Sequence, residues 1–204
     1  MKKHLFLEGP IQEGKSTLIR SLIRDRIPQI GGFSSQRLLD ERGNTVGFRV
    51  APPEEALALT AKYSPELTNI FLYFGGEKTE MNPGVFGGSA LKYLRQREGK
   101  KLILLDEIGG VELLDAEFRK ELYNTLEGDI PCIGVLKLES SNRNMCAGSK
   151  IGNFCTSLQI QLRQDLIDNL NADIMPFERR IVKETEKTVK EFVDAVFAER
   201  RVGS

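Results

Sequence analysis

The sequence lacks the charge excess and the long apolar runs that several protein classes require. Its 204 residues contain 29 Lys plus Arg and 29 Asp plus Glu, so the formal net charge is zero. A balanced charge disfavours a protein dedicated to nucleic acid or to a membrane surface, because both rely on excess cations. No run approaches the ~18 apolar residues of a membrane helix. The N-terminal "HLFL" is also too short for a signal peptide, so we expect a cytoplasmic protein.

Cysteine and histidine are scarce as well. The chain has three cysteines, Cys132, Cys146 and Cys155, and one histidine, His4. Sparse, odd-numbered thiols are typical of reduced cysteines in a cytoplasm. A metal or redox pair of Cys146 and Cys155 is the alternative, but its spacing matches no metal signature and the histidine is far away in sequence.

Short apolar runs alternate with helical patterns along the chain. This alternation predicts an α/β fold in three layers, a mainly parallel sheet with helices on both faces, within a single domain over 1–204. The polar stretch 139–153 is predicted to be a long loop. Predicted strands are 4–8, two pieces around a turn at 41–44, 69–74, 101–107, 130–138 and 172–177; predicted helices are 16–27, 52–63, 88–100, the segment after Asp115, 158–170 and 189–197.

A phosphate-binding signature follows the first predicted strand. Gly9, Gly14, Lys15 and Ser16 fit the pattern G-x-x-x-x-G-K-[ST], between an apolar run and a helical one. Glycine is needed because a phosphate tail lies against successive backbone N–H groups and the loop takes unusual dihedral angles. The catalytic Lys15 is expected to contact the β- and γ-phosphates, and the Ser16 hydroxyl to ligate Mg²⁺. The predicted nucleotide-binding residues are Gly9, Pro10, Ile11, Gln12, Glu13, Gly14, Lys15, Ser16 and Thr17.

Two carboxylates follow a second buried strand. The run "KLILLDE" at 101–107 is almost continuously apolar, as expected of a strand covered on both faces. Asp106 is expected to hold Mg²⁺ through water, as the second metal residue beside Ser16. Glu107 is expected to polarise the water that attacks the γ-phosphate. The common GTPases are disfavoured because N-K-x-D is absent, and transporter ATPases because L-S-G-G-Q is absent.

These motifs resemble the small P-loop nucleoside-triphosphatases of the cancer-related nucleoside-triphosphatase type. The string "LLDEIGGVEL" at 104–113 is the most specific match. Further matches lie at 9–17, 31–35, 47–48, Phe118 and 130–136. The resemblance implies a compact RecA-like α/β fold and Mg²⁺-dependent hydrolysis of nucleoside triphosphates with broad base tolerance.

The same resemblance suggests two arginines for neutralising charge on the γ-phosphoryl group. Arg37 in "SSQRLL" lies where the family usually carries a Glu and an Arg, and Arg180 in "FERRI" lies where an E-N-R string is usual. Both are therefore candidate catalytic residues.

Two other functions fit the same motifs. A kinase acting on a nucleoside, a nucleotide or another metabolite would share the sheet and the phosphate loop. Its candidate lid is 139–153, with Arg143 and Lys150, although a plain loop is favoured there. A nucleotide-dependent switch is the third reading, but the sequence shows no motif for a protein partner.

Overall fold

A mixed β-sheet forms the centre of the molecule, which the computed structural model describes at residues 2–76, 78–139, 150–178, 180 and 182–198. Its strands lie in the order β6-β5-β3-β2-β7-β8-β1-β9, and β4 pairs with β2. From β2 to β9 the neighbours are parallel, whereas β3, β5 and β6 add an antiparallel half. The strands are β1 (His4–Glu8), β2 (Ile30–Leu39), β3 (Thr45–Ala51), β4 (Thr60–Lys62), β5 (Ile70–Tyr73), β6 (Glu80–Met81), β7 (Leu102–Ile108), β8 (Cys132–Leu136) and β9 (Ala172–Pro176).

Helices cover both faces of this sheet, as predicted. Helices α1 and α5 pack on one face, and α2, α3 and α4 pack on the other. Asp115 caps α3 as predicted, because its carboxylate accepts hydrogen bonds from the N–H groups of Glu117 and Phe118. No helix in the described ranges combines the length and apolar character of a membrane span. The helices are α1 (Lys15–Ile23), α2 (Pro83–Arg95), α3 (Ala116–Glu127), α4 (Lys150–Asp168) and α5 (Val182–Phe197).

The helix predicted for 52–63 is wrong. The structure has only a 3-10 turn at Glu55–Leu57, and β4 follows it. The amide of Gln36 on β2 donates to the carbonyl oxygens of Glu55 (3.1 Å) and Ala58 (2.7 Å). These carbonyl oxygens therefore accept hydrogen bonds from a distant side chain, whereas in an α-helix they would accept from backbone N–H groups. The segment continues into β4 instead of forming a helix.

Several other boundaries differ from the sequence predictions; for example, α1 ends at Ile23 rather than at 27, and α5 begins at Val182 rather than at 189. Helix α2 begins at Pro83 rather than at 88 as predicted, because Asn82 caps it and proline suits the first helical position, so Gly87 lies inside the helix. A Cβ on Gly87 would lie 2.4 Å from Oδ2 of Asp115, so glycine allows α2 to approach the start of α3. Of the loop predicted at 139–153, residues 140–149 lie outside the described residues, and 150–153 begin α4.

Strand β2 is longer than its neighbour β7. Its first half, Ile30–Ser34, pairs with β7, and its second half, Arg37–Leu39, pairs with β4. Both partners are parallel to β2, and β3 occupies the opposite edge at these positions. Strand β4 therefore lies just beyond the carboxyl end of β7, where ligands bind in sheets of this kind.

The sole histidine and the described cysteines are buried structural residues. His4 Nε2 donates to the carbonyl oxygen of Leu126 (2.9 Å), and its Nδ1 accepts from the N–H of Cys132 (2.9 Å). Burial, together with the charge of Lys3, lowers the pKa of His4 to about 4. Cys132 and Cys155 are free, buried thiols, and Cys146 lies outside the described residues.

The lowered pKa of His4 predicts a loss of stability in mild acid. Between the ordinary histidine pKa and about 4, the unfolded chain binds a proton that the folded chain does not. We expect His4→Gln to remove about 2 kcal/mol of the decrease in unfolding free energy between pH 7.5 and pH 5. Urea denaturation at both pH values measures this change, and an unaltered pH slope in the variant would contradict it.

Candidate active site

The phosphate loop has the backbone geometry that its sequence predicts. Gly14 has a φ of 103° and precedes α1, whose first residue is Lys15. A Cβ on Gly9 would lie 2.3 Å from the carbonyl oxygen of Phe177, so only glycine fits there. The N–H groups at the start of α1 thus point into the loop, where an anion would bind.

Lys15 folds back over this loop. Its ammonium group donates to the carbonyl oxygens of Gly9 (2.8 Å) and Pro10, and its side chain is only 7% exposed. Burial lowers the pKa of Lys15, and the carboxylates of Glu107 and Asp106 act in the opposite direction. The ammonium group is therefore held within the loop that would carry the phosphates.

Asp106 is the centre of a buried network that joins the loop to β7. Its Oδ1 accepts from the Ser16 hydroxyl (2.7 Å). Its Oδ2 accepts from the Ser34 hydroxyl (2.7 Å) and from the guanidinium of Arg20 (2.9 Å), which also donates to the hydroxyl of Ser34. The Asp106 side chain is 2% exposed. Both oxygens are thus fixed, and one of them faces the first turn of α1.

Arg20 was not predicted from the sequence, although a signal for it existed. It follows Ser16 by four residues, so both side chains lie on the same face of α1. Because the Arg20–Asp106 pair is buried, removal of one partner leaves an uncompensated charge. The pair therefore has a role in stability as well as in the orientation of Asp106.

We expect Arg20→Met to lower the unfolding free energy by about 3 kcal/mol. Adding Asp106→Asn should recover part of this loss, since the double variant leaves no buried charge behind. The control is Arg26→Met, whose half-exposed ion pair with Asp194 should cost no more than about 1 kcal/mol. Urea denaturation of wild type, Arg20→Met, Asp106→Asn and the double variant gives the coupling energy, with Arg26→Met measured beside them, and strictly additive losses would refute the pairing.

The chemistry of Ser16 and Asp106 fits Mg²⁺. A hydroxyl and one carboxylate offer the hard oxygen ligands that Mg²⁺ prefers, and such sites take their remaining ligands from phosphates and water. Within the described part of the chain, no cluster of three or more His, Cys, Asp and Glu side chains offers an alternative metal site.

Glu107 follows Asp106 at the same end of β7. Burial raises the pKa of its carboxyl group, whereas the nearby charge of Lys137 lowers it by a smaller amount. A carboxylate whose pKa is raised in this way is better matched to accepting a proton near neutral pH.

Two further charged residues reach this region. Glu112 is fully buried; its Oε1 accepts from the N–H of Gly110 (2.7 Å), and its Oε2 has no hydrogen-bond partner among the described residues. Lys137 directly follows β8, the strand between β1 and β7. Polar residues at the carboxyl ends of parallel strands are the sequence signal that would have identified Lys137.

One cavity of about 600 Å³ collects most of these side chains. It contains the predicted residues Lys15, Ser16, Asp106 and Glu107, as well as Arg37 from β2. The Arg37 guanidinium makes no ion pair or side-chain hydrogen bond within the described ranges. The cavity is further lined by Ile11, Gln12, Gly14, Thr17, Ser35, Phe48, Leu59, Thr60, Phe71, Leu72, Met81, Phe86, Val111, Glu112, Val135 and Lys137.

Arg180, the second arginine predicted from the resemblance, does not line this cavity. It lies just after β9, the edge strand that pairs with β1, and its side chain is 79% exposed and pairs with Glu178. The structure therefore brings Lys15, Ser16, Asp106, Glu107 and Arg37 together in one cavity, and Arg180 is not among its lining residues.

The fold and the site together define an α/β P-loop protein that binds a nucleoside triphosphate. Two solved structures have the same fold: THEP1 from the hyperthermophile Aquifex aeolicus (TM-score 0.59, 17% identity) and a human cancer-related nucleoside triphosphatase (TM-score 0.60, 19% identity). The alignments cover 94% and 97% of this chain, respectively, and 99% of each neighbour.

Sequence comparison identifies the family. The chain matches the family described as NTPase over residues 4–169, and it therefore belongs to that family. It is also 27% identical over 137 residues to the nucleoside-triphosphatase THEP1 of Thermotoga sp. (strain RQ2), covering 67% of this chain and 75% of that protein. The resemblance seen in the sequence is confirmed, and the chain is an NTPase.

Proposed function

We propose that this enzyme hydrolyses nucleoside triphosphates to the diphosphate and phosphate, with Mg²⁺ as cofactor and broad base tolerance, in a single domain over 1–204. The observation that carries the proposal is the 2.7 Å hydrogen bond between Ser16 and Asp106. This hydrogen bond joins the phosphate loop to β7, the strand that carries the proposed metal ligand Asp106 and, one residue later, the proposed base Glu107. The absence of N-K-x-D supports tolerance toward the base.

Each side chain of the site has one role in this proposal. The loop from Gly9 to Thr17 binds the phosphates through its N–H groups, and Lys15 compensates their charge at the β- and γ-positions. Ser16 and Asp106 hold the metal ion, which would neutralise the charge that develops on the phosphates. Glu107 accepts the proton of the attacking water. Arg20 and Ser34 orient the carboxylate of Asp106 by donating hydrogen bonds to its Oδ2.

Phosphate release from ATP, GTP, CTP and UTP tests the proposal. We expect release from all four nucleotides with rates within about tenfold of one another, because the site has no known base-reading motif. Chelation of divalent cations should abolish release, and added Mg²⁺ should restore it. Release that continues after chelation, or that is confined to one nucleotide, would contradict the metal requirement or the base tolerance, respectively.

Arg37 is the better placed of the two candidate arginines. We expect Arg37→Lys to lower kcat at least about tenfold with little change in nucleotide affinity, because lysine keeps the charge but loses the forked geometry. Arg180→Lys is the matched comparison. Steady-state kinetics of both variants assign the role: a loss confined to Arg180→Lys would transfer the function to that residue, and full kcat in both variants and in the double variant would exclude both.

A further inference from the structure

One part of the cavity is lined by apolar side chains and contains none of the residues assigned to hydrolysis above. Six apolar side chains line it, and we call this part the apolar chamber: Phe48, Leu59, Phe71, Leu72, Met81 and Phe86. They come from β3, the segment before β4, β5, β6 and α2, all in or beside the antiparallel half of the sheet. Attack by water requires no such apolar surface, so the chamber points to a second, organic molecule.

Contacts among its side chains fix the walls of the apolar chamber. Phe71 packs edge-on against Phe86 with ring centroids 4.8 Å apart, and Phe48 lies 6.5 Å from Phe71. Gln36 holds the segment before β4 through Glu55 and Ala58, and so places Leu59 at the rim. Packing of this kind gives a preformed pocket, as small-molecule sites require.

The place of the chamber along the cavity argues for an occupant other than the nucleoside of the triphosphate. The lysine of a phosphate loop reaches the β- and γ-phosphates, so the γ end of a bound triphosphate is expected beside Lys15, Asp106 and Glu107. Ser34 contacts Asp106, and Arg37 lies three residues further along β2, or about 10 Å at the rise of a β-strand. The chamber therefore continues beyond the γ-phosphate, whereas the nucleoside is attached at the α-phosphate, at the other end of the chain.

The cavity that contains the chamber also has polar lining residues. Glu107, Ser35, Arg37 and Thr60 are among them. An occupant that suits both regions has a flat aromatic body, which can pack against the phenylalanine rings of the wall, and a hydroxyl group that reaches the carboxylate of Glu107.

We propose that the apolar chamber binds a small alcohol with an aromatic body and that the enzyme transfers the γ-phosphoryl group to it. This proposal rests on the proposed function, since both reactions use the same bound triphosphate. The hydroxyl oxygen forms a bond to the γ-phosphorus while the bond from that phosphorus to the β,γ-bridging oxygen breaks. The bridging oxygen keeps the electron pair and leaves on the nucleoside diphosphate, and Glu107 takes the hydroxyl proton and releases it to solvent.

The test follows both products in one sample. The full chain is incubated with MgATP and, separately, with benzyl alcohol, 4-pyridylmethanol or thymidine as the probe, and phosphorus NMR resolves the phosphate monoester from inorganic phosphate. We expect a monoester that increases saturably with at least one probe. Inorganic phosphate without a monoester from any of the three probes would overturn the transfer proposal and leave hydrolysis intact. Neither product would overturn both proposals.

A pair of variants ties the transfer to the chamber. Leu59 lines the chamber and is 37% exposed, and Ile167 on α4 is 39% exposed and lies outside the cavity. We expect Leu59→Asp to lower the ratio of monoester to inorganic phosphate at least about tenfold, because a charge replaces an apolar contact. Ile167→Asp should leave the ratio unchanged. Equal ratios in both variants would show that the alcohol reacts without occupying the chamber and would overturn the proposal.

Discussion

Replacement of Lys15 by alanine is expected to lower phosphate release at least about a hundredfold and to weaken triphosphate binding. The ammonium group lies within the loop, where it donates to the carbonyl oxygens of Gly9 and Pro10, and a bound triphosphate would offer it phosphate oxygens in their place. An oriented charge of this kind is typically worth roughly 3 kcal/mol or more in the transition state. Steady-state phosphate release and nucleotide titration measure the two effects.

Lys100→Ala is the matched control for this variant. Lys100 is also partly buried and donates to a backbone carbonyl, that of Pro28, but it lies away from the cavity. We expect its turnover to stay within about twofold of wild type, as for a surface substitution. If Lys15→Ala kept an activity within threefold of wild type, the loop from Gly9 to Thr17 would not be part of the active site.

Replacement of Glu107 by glutamine is expected to lower turnover and, at pH 8, to raise stability. The variant cannot accept the proton of the attacking water, so turnover should fall at least about tenfold while nucleotide affinity changes little. The variant should also unfold at a higher temperature than wild type at pH 8, since burial raises the pKa of Glu107 and its charged form therefore destabilises the fold.

The pH dependence follows from the same shift. A raised folded pKa means that the stability contributed by Glu107 is fully present below the ordinary glutamate pKa and is lost as the pH rises through the folded pKa. Catalysis shows the reverse trend, because the base must be ionised, so wild-type turnover should decline in acid at a pH above the ordinary glutamate pKa. Thermal unfolding and kcat are measured from pH 5 to pH 8.5 for both proteins. A variant with full turnover would assign the base to another residue, and a variant less stable than wild type at pH 8 would contradict the raised pKa of Glu107.

The sequence was sufficient to predict the parts of the site that depend on local chemistry. The loop from Gly9 to Thr17 needs its glycines and its helix start, and Asp106 needs only the end of a buried strand. Asp115 and the spacing of Phe118, Leu122 and Leu126 likewise define α3 without help from the rest of the chain.

The parts that depend on distant contacts escaped prediction. The 52–63 segment has proline and acidic residues suited to a helix, yet the amide of Gln36 draws it to the sheet. Strand β6 has only two residues, too few for any periodic pattern, and it is stabilised by pairing with β5. The apolar chamber is built from these segments, so neither its existence nor its place beside Glu107 was visible in the sequence.

Hydrolysis in water enriched in oxygen-18 tests the central claim most directly, because it reports where the attack occurs. The enzyme is incubated with MgATP in the labelled water, and both products are analysed by mass spectrometry. Attack of water on the γ-phosphorus within the site of Lys15, Asp106 and Glu107 predicts one labelled oxygen in each released phosphate and none in the diphosphate. Label in the nucleoside diphosphate, or no release of phosphate at all, would contradict the account.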